Sequence, residues 1–165
     1  MTEIIVAALS ALILAGAGGL LTTIGPWYRG LRKPSWQPPD WAFGPAWTLI
    51  LGMAAASAVL AWRGAAPDAR TGVVLMFAAN AVFHLAWTPL FFNLRRPDWA
   101  LAEVVLLWLS LVVLVVGLWP HSHTASLLIV PYLAWVTFAA YLNFTIVRLN
   151  APFGAVPAGV IKPAS

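Results

Sequence analysis

The sequence has no cysteine among its 165 residues. Disulfides, thiolate metal centres and a cysteine nucleophile are therefore excluded. Charge is almost as scarce. Asp, Glu, Lys and Arg make up 8% of the chain, against about 25% in an ordinary soluble domain. So few charges cannot solvate a globular surface, and 62% of the residues are hydrophobic. The missing solvent is lipid. No hydrolytic triad or metal-ligand cluster is visible, and the length suits a single unit over residues 1–165. The formal net charge of +4 does not point to nucleic acid, because the basic residues sit in short segments between apolar runs, where membrane topology places them. The chain opens Met1-Thr2-Glu3, without the positive charge of a secretory leader, and stays apolar to Ile24. That stretch reads as a first span.

A spanning helix needs about 20 mostly apolar residues. Five segments qualify, at about 4–24, 43–62, 72–92, 99–119 and 125–147. The expected fold is an all-α membrane protein, a bundle of five transmembrane helices. Short connections predict that consecutive helices are antiparallel neighbours. Only the first connection, 25–42, is long. Pro34, Pro38 and Pro39 forbid a continuous helix there. Trp27, Tyr28, Trp36 and Trp41 suit the headgroup layer. The segment reads either as an interfacial anchor or as a lid over a pocket, since prolines lower the entropy cost of ordering a loop.

Charge placement predicts orientation. Arg29, Arg32, Lys33, Arg95, Arg96, Arg148 and Lys162 fall on one side, and only Arg63 and Arg70 on the other. In an inner-type membrane the first loop and the C-terminus are then cytoplasmic, with the N-terminus outside.

Lipid gives helices no hydrophobic reason to associate, so close packing of small residues matters. Ala7, Ala11, Ala15, Gly19 and Thr23 repeat every fourth position, as do Gly44, Thr48, Gly52 and Ala56. Such ladders suit helix packing within the bundle or against a second copy. Asn80, His84 and Trp87 lie on nearly one face of the third span. An amide and an imidazole avoid lipid, so they are expected to face inward, either as interhelical hydrogen bonds or as the polar floor of a ligand site. A lone His84 is weak evidence for axial haem ligation. Glu103 is expected to snorkel toward Arg95 or Arg96. On the fifth span, Trp135, Ala139 and Asn143 share a face. There the small alanine leaves room for a flat ligand or simply for packing.

The run Trp27-Tyr28-x-x-Leu31-x-Lys33-Pro34-x-Trp36-x-Pro38-Pro39-x-Trp41-x-Phe43-Gly44-Pro45-x-Trp47 resembles the signature of the tryptophan-rich sensory protein and translocator protein family, also called the peripheral benzodiazepine receptor family. Trp87-Thr88-Pro89-Leu90-Phe91-Phe92 is similar to its third-helix ending. Pro131-Tyr132-Leu133-Ala134-Trp135 through Leu142-Asn143 is similar to its fifth-helix motif. The likeness covers nearly the whole chain.

The resemblance implies a homodimer whose pocket opens near the first loop. It implies porphyrin, haem-pathway or isoquinoline-type ligands, with porphyrin or haem as ligand rather than obligatory cofactor. Carried over, the pocket includes Trp36, Phe43, Trp47, Trp87, Trp135, Ala139 and Asn143, with Asn80 and His84 standing where many members have Gln and Asn. Arg29, Arg32 and Lys33 are expected to meet porphyrin propionates at the mouth. The leading expectation is a tetrapyrrole-binding sensor or regulator. Two alternatives are a light- and oxygen-dependent porphyrin-degrading enzyme, with Trp47 and Trp135 as its reactive indoles, and a porphyrin or sterol transporter. Val136 and Tyr141 begin a sterol-type pattern, but Arg148 lies too far along, and no sterol site is expected.

Overall fold

The computed structural model describes residues 1–154. Lys162, counted above in the charge asymmetry, lies outside them. Among the described residues, five helices are long and apolar enough to cross a membrane. They are α1 (Thr2–Leu21), α3 (Phe43–Gly64), α4 (Arg70–Thr88), α5 (Pro97–Leu118) and α6 (His123–Asn150). A short helix, α2 (Pro26–Gly30), and a 3-10 turn at Asp40–Ala42 shape the long first loop.

Local chemistry explains the helix limits. Pro26 and Pro97 sit in the first turns of α2 and α5, where a missing N–H costs nothing. Ser122 caps α6, its side chain accepting the Ala125 N–H at 3.2 Å. Pro89 cannot donate to the helix ladder, and α4 widens there into a π-helical turn over Pro89–Asn93, closed by Leu94 N–H to the Pro89 carbonyl at 2.9 Å.

The core is the α5–α6 pair. Leu107, Leu111, Leu114 and Leu118 of α5 meet Ala125, Ile129, Tyr132 and Val136 of α6, all buried. Their spacing of three or four residues is one helical face turned to another. Buried serines fasten the helices: Ser57 Oγ donates to the Ala125 carbonyl at 2.7 Å, and Ser126 Oγ to the Val115 carbonyl at 2.5 Å. A hydroxyl that satisfies a neighbouring backbone oxygen is well suited to lipid, which offers no alternative partner.

The helices order around the bundle as α1, α3, α6, α5, α4. The expectation of sequential neighbours holds for α5 and α6, joined by a tight turn. It fails for α3 and α4, which are joined by five residues yet touch only slightly. Cavities lie between these two helices, and α3 packs instead on α1 and α6. No residue of α1 is buried. Glu103 does not snorkel either. It is 9% exposed and its carboxylate has no partner among the described residues, while Arg96 pairs with Asp98 at the start of α5.

Contacts define two ends. At the loop end, Arg32 meets Asn150 and Tyr28 meets Phe92. At the opposite, N-terminal end, Arg63 meets Glu3.

Candidate ligand cavity beneath the first loop

Between the five spans, at the loop end, lies a cavity of about 460 Å³, within the range of about 300–1,000 Å³ usual for small-molecule sites. Its walls are mainly aromatic and aliphatic. Phe43 and Trp47 come from α3, His84 and Trp87 from α4, and Trp135, Ala139 and Asn143 from α6. Leu14, Ala15, Gly18 and Gly19 of α1, with Thr22 just past its end, close the remaining side, mostly with short side chains.

The rings brace one another. Trp47 meets Trp135 edge-on at 6.2 Å, His84 at 4.9 Å and Tyr132 at 5.7 Å. Trp135 also meets Phe43 at 5.8 Å, and Trp87 stacks on Phe91 at 4.9 Å. Such ring pairs contribute about 0.5–1.5 kcal/mol each beyond buried area. These contacts stiffen the cavity wall. The indole N–H groups of Trp87 and Trp135 are buried with no acceptor among the described residues, and an unmade buried hydrogen bond costs about 1–3 kcal/mol.

His84 is fixed by a 2.8 Å hydrogen bond between its Nδ1 and the Tyr132 hydroxyl. Asn143 faces the same cavity but its amide has another duty. With its oxygen and nitrogen oriented so that both are satisfied, it donates to the Pro97 carbonyl and accepts the Leu101 N–H, each at 3.1 Å. It thereby holds the first turn of α5 against α6.

The first loop is the cover. Ile24, Tyr28 and Asp40 line the cavity from above. The Tyr28 hydroxyl donates to Asp40 Oδ1 at 3.1 Å and accepts from Gln37 Nε2 at 3.2 Å. Burial, then the Asp40 charge, pushes the Tyr28 phenol up to about 12, so it stays a donor at any ordinary pH. Its ring meets Phe92 at 5.3 Å. The far side of the loop is tied to the end of α6. Arg32 N–H donates to Asn150 Oδ1, and Asn150 Nδ2 donates back to the Arg32 carbonyl, both at 2.8 Å.

Two expected pocket residues lie elsewhere. Trp36 stacks on Tyr141 at 5.3 Å and meets Phe138 at 5.9 Å. It therefore covers an outer face of α6 rather than the cavity, where the Asn150 tie and the loop prolines steer it. Asn80 is bonded to Ser110 Oγ at 2.9 Å and lines a separate space. Of the three expected cations, Arg29 is exposed, Arg32 uses its backbone for the tie, and Lys33 sits over the Tyr28 ring at 3.6 Å. None of them lines the cavity, whose one carboxylate among the described residues is Asp40. The Tyr28–Asp40–Gln37 set was not foreseen. Its signal was the close spacing of a tyrosine, an amide and an acid across a proline-rich loop.

The model of the TspO/MBR family matches residues 5–149. Tryptophan-rich protein TspO of Chlorobaculum tepidum is 44% identical over 126 residues, which cover 75% of this chain and 79% of that protein. Tryptophan-rich sensory protein of Cereibacter sphaeroides is 36% identical over 132 residues, 80% of this chain and 82% of the relative. Translocator protein of Sus scrofa is 36% identical over 126 residues, 75% of each chain.

Proposed function

The chain belongs to the TspO/MBR family of membrane proteins, and from that premise we propose that it binds a tetrapyrrole beneath its first loop and acts as a sensor or regulator of porphyrin metabolism. The observation that carries this reading is the convergence of Trp47, Trp87 and Trp135 from three helices on one cavity. A porphyrin is flat, large and apolar, and indole faces and edges supply the matching surface. Among the described residues the cavity is lined by no Lys or Arg and by one carboxylate, so propionates would extend past the loop toward Arg29, Arg32 and Lys33 instead of being buried. Isoquinoline-type ligands, flat and uncharged, suit the same slot.

The orientation proposed places the loop end in the cytoplasm, following the charge asymmetry.

One contact favours a second reading. Trp47 and Trp135 touch, so an excited porphyrin beside them would take one electron from an indole, which sheds its N–H proton; O2 would add to the reduced macrocycle, and the resulting peroxide, taking up that proton, would cleave the ring.

The test is titration of the protein in lipid nanodiscs with protoporphyrin and with haem, following tryptophan quenching. Saturable binding that weakens about tenfold or more in Trp135→Ala is expected, in line with losing one stacked aromatic. Non-saturable quenching, identical in the variant, would reject the site. For the second reading, illumination with and without oxygen is compared in wild type and the Trp47→Phe, Trp135→Phe double variant. Equal bleaching in both proteins rejects it.

A further inference from the structure

A second cavity of about 490 Å³ lies in the other half of the bundle, among α1, α3 and α4. It runs from Thr2 and Glu3 at the N-terminal end to Leu14 at mid-membrane. Those twelve steps of α1 measure about 18 Å at the helical rise. The walls are small and apolar, with Ala7, Ala11, Ala54, Ala58 and Ala78 among them.

The two cavities share a partition. Leu14 and Leu51 line both, His84 lines the first, and Tyr132 lines the second. The His84–Tyr132 hydrogen bond therefore closes the wall between them.

The inner end of the second cavity carries an unused acceptor. Ser110 Oγ donates its only proton to the Leu107 carbonyl at 2.7 Å, so towards Asn80 it can only accept. That fixes the Asn80 amide with Nδ2 on Ser110. The carbonyl oxygen of Asn80 is left without a protein donor among the described residues, on a side chain only 6% exposed that lines the cavity. At the outer end, Thr2 and Glu3 supply polar groups, and Glu3 is paired to Arg63 at 2.8 Å.

We propose that this second cavity is a further binding site, distinct from the one beneath the loop, for an elongated apolar molecule with a hydroxyl at each end. One hydroxyl donates to Asn80 Oδ1 at mid-membrane. The other meets the polar rim at Glu3. A chain with one polar end fits less well, because it leaves either the buried acceptor or the rim unmatched. The occupant comes from the bilayer, since exposed Val6 and Val74 leave the groove laterally open to lipid.

The experiment uses a long-chain α,ω-diol with a mid-chain diazirine and, beside it, the dimethyl ether of the same chain. Each is photolysed with the full chain in nanodiscs, and labelled residues are mapped by mass spectrometry. The diol is expected to label the α1, α3 and α4 residues of the groove about fivefold more than the ether, as one neutral hydrogen bond implies. Asn80→Leu should bring the diol down to the ether's level. Ala58→Phe, which fills the groove without touching Asn80, should cut labelling about tenfold and leave protoporphyrin quenching unchanged. Labelling spread evenly over lipid-facing helices, diol and ether alike, overturns the proposal. So does an Ala58→Phe variant that loses porphyrin and diol together, which would mean one continuous chamber. Labelling that appears only on dilution to monomers also overturns it, because a second copy would then be the occupant. Groove labelling without porphyrin binding would leave this site standing and reject only the first.

Discussion

Replacing Asn150 with alanine should unfasten the pocket cover without touching the pocket. Asn150 exchanges two 2.8 Å hydrogen bonds with the backbone of Arg32 and makes a third to the Ile146 carbonyl of its own helix. Only the first two cross to the loop. A neutral hydrogen bond contributes about 0.5–1.5 kcal/mol net. Both crossing bonds are exposed to solvent, so their sum belongs in the lower part of the doubled range, about 1–2 kcal/mol. Loop opening should then become about 5–30 times more frequent. Amide hydrogen exchange reads this directly. The Arg32 N–H and its neighbours over residues 29–37 should lose protection by that factor, while Leu107–Leu118 of α5 stays unchanged. Ligand dissociation should quicken in parallel, because the cover must open for release. Unaltered exchange at Arg32, or a loss spread equally over α5, would refute the idea that this one amide holds the cover shut.

Tyr28→Phe should remove the alkaline sensitivity of the cover. The folded phenol lies near 12, above its ordinary 10.0, so its stabilisation is intact below pH 10 and fades as pH rises toward 12. Loop exchange or ligand affinity followed over that window should show the fade in wild type and none in the variant. Gly64→Ala should lower the thermal midpoint, since a Cβ there would collide with the His121 carbonyl oxygen at the α5–α6 turn; overpacking of this kind costs about 1–3 kcal/mol. Gly52→Ala, with nothing near its added methyl, should be neutral or stabilising, and equal midpoints for the two variants would contradict the packing described. Asn143→Leu should cost about 1–3 kcal/mol of stability by stranding the Pro97 and Leu101 backbone groups, while shifting ligand affinity less than Trp135→Ala does; the reverse order in a paired melt and titration would make Asn143 a ligand contact first.

The five spans were legible because lipid imposes one crude rule, a long apolar run, on every one of them. Periodicity also brought His84 and Trp87 to one wall and Trp135, Ala139 and Asn143 to another. It could not show that Asn80, one turn from His84, faces a different space. That depends on how far α4 stands from α3, and a short connecting loop suggested the opposite. Glu103 looked like a surface group because it lies near a helix start, yet the rotation of α5 against α6 decides its burial. Trp36 was placed in the pocket by its motif, and its true neighbour, Tyr141, is set by a tie between residues 118 positions apart. Contacts of that range leave no periodic trace.

Helix α1 hides none of its side chains. Exchanging one aliphatic residue for another along its outer faces should therefore pass almost unnoticed. A deep mutational scan would find this helix reading its sequence as a solubility test, rejecting charge and ignoring shape. Only at the short positions where it borders a cavity, such as Ala15 and Gly18, would size begin to matter. One span of the five is thus held to a looser standard than the rest, and sequence drift in this chain should accumulate there first.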